Sequence, residues 1–183
     1  MSGRPARAHW IARGLGLSGP TVLVVPVPVA DALVRSDART PGLGAHITVL
    51  YPFIDVRAFG AAADTELAEC FAAAAPFDFV LREVRTFPSV VYLAPEPPDP
   101  FVALTDSVVK RWPEQLPYEG RFDRVVPHLT IAYGSMAPAG VARALPLHGR
   151  ASEVWLMRKA LRRWRCLRVY GLGRTPAGFS AGS

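Results

Sequence analysis

Apolar and polar positions along the chain recur with two periods, and each period predicts a different element. Thr21 to Val29 is an almost continuous apolar run, the pattern of a strand, and Pro26 and Pro28 predict that it lies at an edge or ends early. Ala30 to about Asp37 reads as a short helix, and Thr40 to Gly44 as a turn-rich loop leading into a strand over Ala45 to Phe53. A helix rich in Ala, Leu and Glu is expected from about Asp55 to Ala75, where Pro76 ends it. Phe77 to Arg85 alternates as a strand, turns near Pro88-Ser89, and returns as Val90 to Ala94. Residues 95 to 100 hold four prolines, which predicts a stiff connection that is neither strand nor helix. Beyond it, Phe101, Leu104, Val108 and Trp112 share one face of a helix over Phe101 to Trp112. Pro117 to Arg124 reads as loop, Val125 to Gly134 as a strand, and Pro138 to Ala144 as a short helix. A hairpin of Ser152 to Ala160 and Arg163 to Leu172 closes the chain. One bilobed unit over 21–174 is expected, between tails at 1–20 and 175–183. Trp10, Ile11 and Leu15 are candidates to pin the first tail to the body.

Two of these strands carry the same pattern. His46-Ile47-Thr48-Val49-Leu50-Tyr51 and His128-Leu129-Thr130-Ile131-Ala132-Tyr133 both read His, aliphatic, Thr, β-branched aliphatic, small or aliphatic, Tyr. Strict alternation sends His46 and Thr48 to one face and Ile47, Val49 and Tyr51 to the other, and it sorts the second copy identically. The tyrosines are thus expected to pack in the lobes or to reach a groove mouth with their hydroxyls. The copies lie 82 positions apart, each followed by helical and then hairpin-like material. That layout predicts two similar α+β lobes related by a pseudo-twofold axis.

Composition changes this picture only at the margins. Of 183 residues 50% are apolar and 20% charged, which is a globular composition. The formal charge of +6 leans towards an anionic partner, and nearly all of the 21 cations are Arg, which favours forked phosphate contacts. Cys70 and Cys166 make no metal spacing and read as buried thiols of a reducing compartment. No apolar segment is long enough to span a bilayer, and Val22 to Val29 suits a first strand better than a secretory signal, so a cytoplasmic location is expected.

If the two His strands face one groove, it holds two imidazoles and two hydroxyls, a set suited to a phosphodiester. One neutral imidazole takes a proton from an attacking water or hydroxyl and the other, protonated, gives one to the leaving oxygen. Thr48 and Thr130 hydrogen-bond the non-bridging oxygens. A single His-x-Thr is more often a surface pair; two copies with matched flanks among only four histidines reverse that weighing. His9 reads as tail and His148 as a loop residue. A metal site built on the two histidines lacks an acidic residue at suggestive spacing, so neither metal nor cofactor is expected. Arg158, Lys159, Arg162, Arg163, Arg165 and Arg168 make the last hairpin basic, with Trp164 available to stack on a base, against the plainer reading of a solvated face.

The flanks AHITVLYPF and VVPHLTIAYG resemble the 2H phosphoesterase superfamily, and most of all its bacterial 2'-5' RNA ligase members, over about residues 21–172. The resemblance implies a bilobed α+β fold with antiparallel sheets lining a central cleft and helices outside. It also implies metal-independent opening of 2',3'-cyclic phosphates, or cleavage or joining of 2'-5' linkages. His46 and His128 carry over as the acid/base pair and Thr48 and Thr130 as phosphate binders, with Tyr51 and Tyr133 as further substrate contacts. The implied partner is an RNA end or a small nucleotide with such a diester, met by a monomer away from membranes. Where RNA-acting members often carry Arg or Lys after the second motif, this chain has Tyr133-Gly134, which leaves room for a small nucleotide such as a cyclic phosphate of ADP-ribose. The rival reading is a nucleotide- or RNA-binding module on the same fold that turns nothing over.

Overall fold

The computed structural model describes residues 19–122 and 124–173. Its strands and helices are β1 (Thr21–Pro26), β2 (His46–Leu50), α1 (Ala61–Ala72), β3 (Phe77–Phe87), β4 (Val90–Glu96), α2 (Asp99–Arg111), β5 (Leu129–Tyr133), α3 (Val141–Ala144), β6 (Leu147–Ala151), β7 (Glu153–Ala160) and β8 (Arg163–Gly171). They form two four-stranded sheets, ordered β2-β1-β7-β8 and β5-β4-β3-β6, in which every pairing is antiparallel. Each His strand is the outer strand of its sheet, and each pairs with the strand that precedes it in the chain. β2 and β5 meet where the two sheets adjoin. This is the expected α+β architecture, with the repeat visible in strand order.

Most predicted elements form, and the departures have physical causes. β1 is an interior strand rather than an edge; its prolines only end it, at Pro26, where a missing N–H costs least. Both of its faces are covered, so all of Thr21 to Val25 is buried. The expected helix at Ala30 is a 3-10 helix over Pro28–Leu33. α1 starts at Ala61, not near Asp55, because the Asp55 carboxylate is taken by the Gly19 and Arg57 N–H groups in a separate turn before Gly60. The proline-rich stretch is mostly inside elements. Pro95 and Glu96 continue β4 opposite Leu81 and Val80, beyond the last β5 pair at Leu93, and Asp99-Pro100 form the first turn of α2, where a proline is tolerated. β6 has no counterpart among the predicted elements and carries His148, which is exposed on a strand rather than in a loop. Its Gly149 lies under the Phe79 ring, where an added Cβ would come within 2.4 Å of the ring. Cys70 is buried as expected, but Cys166 is exposed, because β8 is an outer strand. The expected tails lie outside the described residues, apart from Gly19 and Pro20, and so do His9 and the residues expected to pin the first tail.

One large core joins both sheets and both long helices. It runs from Leu23, Val25 and Ile47 through Leu93, Leu129 and Ile131 to Leu67, Phe71, Phe101 and Val108. The buried face of α2 repeats at Phe101, Leu104, Thr105 and Val108, which is helical spacing. The opposite face of the β2-β1-β7-β8 sheet has its own small cluster, Val22, Val24 and Met157, flanked by Leu43, Trp155 and Trp164.

Each His strand carries a bulge at the same place. Leu50 pairs with Leu23 and Thr48 with Val24, which leaves Val49 as the extra residue; Ala132 pairs with Val91 and Thr130 with Tyr92, which leaves Ile131. A bulge takes its residue out of the ladder, and here each freed carbonyl is met from a connection leading into the other His strand. The Thr105 hydroxyl of α2 donates to Val49 O at 2.7 Å, and the Arg35 N–H donates to Ile131 O at 2.8 Å. The strand ends are held the same way: the Tyr118 N–H donates to Tyr51 O at 2.6 Å, and the Arg35 guanidinium donates to Tyr133 O. Thr105→Val keeps the shape but strips the donor from a buried carbonyl, so chemical denaturation should show a loss of about 1–3 kcal/mol with an unchanged m-value.

Candidate active site

The bulges decide which side chains meet. After one extra residue the alternation flips, so Leu50 and Ala132 turn inward while Tyr51 and Tyr133 turn out, 38% and 51% exposed. The expectation that the tyrosines pack in the lobes is therefore corrected. They join His46, Thr48, His128 and Thr130 along one cavity of about 720 Å³. Its floor includes Val22, and its wall includes the loop of residues 38–44, Tyr118 and Trp164.

The two histidines are held alike. His46 Nδ1 lies 2.7 Å from Gly44 O, and His128 Nδ1 lies 2.8 Å from Val126 O, the carbonyl two residues back in each case. A carbonyl only accepts, so each Nδ1 carries the hydrogen and each ring is left with Nε2 free for an outside partner. Both rings are half-buried. Loss of hydration pushes both pKa values below the ordinary imidazole value, and the carbonyl contacts oppose this only in part. A charge on His128 lowers His46 further, so the rings sense one another across the cavity.

Their surroundings differ. His128 stands nearly perpendicular to the ring of Phe87, centroids 5.2 Å apart, and at 68° to Tyr92 at 5.5 Å. Phe87 and Tyr92 are themselves stacked at 4.1 Å. Tyr92 is opposite Thr130 in the ladder, so pairing β4 with the second His strand would have pointed to it; the motif alone did not. Tyr118 holds a left-handed backbone, φ 52°, which is uncommon for a residue with a Cβ. Burial raises its phenol pKa.

The last hairpin reaches the cavity through Trp164, whose ring lies 6.4 Å from that of Tyr51. The Trp164 N–H donates to Pro41 O at 2.7 Å, and a Cβ on Gly42 (φ 79°) would fall 2.1 Å from Trp164 O. Loop and hairpin are thus laid against each other, and only glycine fits at the contact. The hairpin arginines do not line the cavity: Arg168 pairs with Asp64 at 2.9 Å, and Arg158 faces Arg165 across the ladder. Arg39, which no motif marked, does line it. Among the described residues no group of three or more His, Cys, Asp or Glu comes together to hold a metal ion, and no helix is long and apolar enough to cross a membrane.

A family model described as the 2'-5' RNA ligase superfamily matches residues 27–163, a span that includes both His-x-Thr strands. The chain belongs to that superfamily. No curated protein matches the sequence. Among solved structures, Escherichia coli LigT complexed with 3'-AMP superposes with a TM-score of 0.58 at 14% identity, covering 86% of this chain and 99% of that one. The protein TT0787 of Thermus thermophilus gives 0.56 at 18%, over 85% and 98%. A crystal structure described as a phosphoesterase gives 0.56 at 16%, over 85% and 98%. At such identities the likeness is one of fold.

The depressed imidazole pKa values have a consequence for stability. Each ring binds its proton less tightly in the folded chain than in the unfolded one, so their contribution is complete above about pH 6.5 and is lost as pH falls from there through the lower folded-state values. Denaturant midpoints measured from pH 8 to 5 should decline on the acid side, and the decline should be shallower in His46→Gln and His128→Gln. An equal decline in both variants would assign the effect to other groups.

Proposed function

We propose that this member of the superfamily is a phosphodiesterase that opens 2',3'-cyclic phosphates or cleaves and joins 2'-5' nucleotide linkages. In this reading His46 and His128 form the acid/base pair, and Thr48 and Thr130 bind the phosphate. The observation that carries it is the matched tethering of the two imidazoles, each with Nδ1 on a backbone carbonyl and Nε2 left free beside one cavity. Crystals of E. coli LigT with 3'-AMP, ATP and NADP+ support a nucleotide as the ligand class. An RNA end or a small nucleotide is the substrate, met by a cytoplasmic monomer.

With a 2',3'-cyclic phosphate bound, neutral Nε2 of one histidine takes a proton from water as the water oxygen bonds to phosphorus. The bond from phosphorus to one ribose oxygen breaks, and the protonated Nε2 of the other histidine delivers its proton to that oxygen. The pair ends with its protonation exchanged and returns by proton exchange with solvent. Run with a ribose hydroxyl in place of water, the same transfers make or break a 2'-5' linkage. The threonine hydroxyls donate to the non-bridging oxygens as charge builds there. Tyr51 and Tyr133 flank the bound nucleotide at the mouth.

Loss of either imidazole should lower kcat by about 10²–10⁴-fold while leaving the fold intact, measured for His46→Ala and His128→Ala on a panel of 2',3'-cyclic nucleotides and 2'-5' dinucleotides. Thr48→Val and Thr130→Val should each cost about 10²-fold. Because both rings resist protonation, the bell-shaped pH profile should centre below about 6.5 and persist in EDTA. Ligand binding with no product from any member of the panel would instead assign the chain to a nucleotide-binding module.

A further inference from the structure

The cavity holds one more charged group than a single phosphodiester requires. Among the described residues that line it, Arg39 is the one permanent cation. Its guanidinium is anchored on neutral acceptors, with Nε donating to Val34 O at 2.9 Å and Nη2 to Asp31 O at 3.4 Å. None of the ion pairs among the described residues includes it. Asp31, the one carboxylate among the described lining residues, accepts the Ala45 N–H at 2.6 Å and lies beyond ion-pair distance of Arg39. Arg39 is therefore oriented by the backbone, and its charge is not cancelled by a carboxylate. A guanidinium in that condition, with N–H groups left over, is suited to a phosphate.

The reacting diester already has its partners in two imidazoles and two hydroxyls. A cavity of about 720 Å³ lies in the range that encloses whole ligands of nucleotide size, well beyond one phosphate. The rings of Tyr51, Tyr118 and Trp164 along the same wall offer apolar surface to a nucleoside. The second His strand brings no cation of its own past Tyr133-Gly134, and the loop before the first His strand supplies one.

We infer that Arg39 reads a second phosphate, so that the preferred substrate is a nucleotide carrying a phosphate monoester at its 5' end in addition to the diester that reacts. This rests on the phosphodiesterase reading above and narrows its substrate class. Arg39 is a specificity-determining residue in it and takes no part in the proton transfers.

The test compares adenosine 2',3'-cyclic phosphate with the same compound bearing a 5'-phosphate, using the full chain and the variants Arg39→Gln and Arg39→Lys. In parallel, calorimetry measures binding of adenosine 2'-phosphate and adenosine 2',5'-bisphosphate, which needs no turnover. The unaltered protein should favour the 5'-phosphorylated member of each pair by about tenfold or more in KM and in Kd. Arg39→Gln should bring both ratios to near one, and Arg39→Lys, with charge but no fork, should fall between. Equal handling of each pair by the unaltered protein overturns the inference, as does a preference that survives in Arg39→Gln. Arg39-dependent preference in binding without turnover of either cyclic compound would sink the phosphodiesterase reading and uphold the second phosphate site. Thermal midpoints matched across the three proteins confirm that the exposed Arg39 side chain is not needed for folding.

Discussion

A bulged strand has a carbonyl that its own sheet cannot satisfy, and in this fold that carbonyl is where the halves are joined. Val49 and Ile131 are both such residues, one step beyond the threonine of each motif. Leaving either carbonyl buried and unpaired would cost about 1–3 kcal/mol. The donors come crosswise, Thr105 from the helix that leads into the second His strand and Arg35 from the connection that leads into the first. The same crossing settles geometry. Each grip is one residue from a threonine and three from a histidine, so the two motifs are registered against each other and not only against their own sheets. The tyrosines follow from the bulges too, since the extra residue is what turns them out of the core.

The electrostatics of the cavity grow from its walls. Val22 in the floor and the aromatic pair behind His128 supply little to replace lost water, so both imidazoles are easier to keep neutral than in solvent. Tethering each Nδ1 fixes the tautomer without a carboxylate. Many arginines of the chain are neutralised in exposed ion pairs such as Arg85–Glu83 and Arg150–Asp78, and among the described lining residues of the cavity only Arg39 adds a permanent positive charge.

Much of this was legible in the chain because it depends on period and on repetition. Two His-x-Thr stretches with matched flanks named both edges of the cavity, and the 3.6-residue spacing of Phe101, Leu104 and Val108 located the buried face of α2. What escaped had no periodic signature. A bulge adds one residue without changing composition, so strict alternation misassigned Tyr51 and Tyr133. β6 centres on a glycine whose partner is a phenyl ring from another strand, a contact that no local propensity encodes. Arg39 sits in a loop of Thr, Pro and Gly, where sequence gives no hint of direction. The prolines of residues 95–100 misled because proline is excluded from interiors but tolerated at a free strand edge and in the first helical turn.

The crosswise anchoring gives this duplicated layout a particular folding unit. Neither half contains the donors for its own bulge, so a chain severed between Pro97 and Pro98 would yield fragments whose motif strands are each missing a clasp that only the complementary piece can supply. Recombining such pieces restores both clasps together, and because three of the four groups involved are main-chain atoms, only Thr105 makes its clasp depend on side-chain identity.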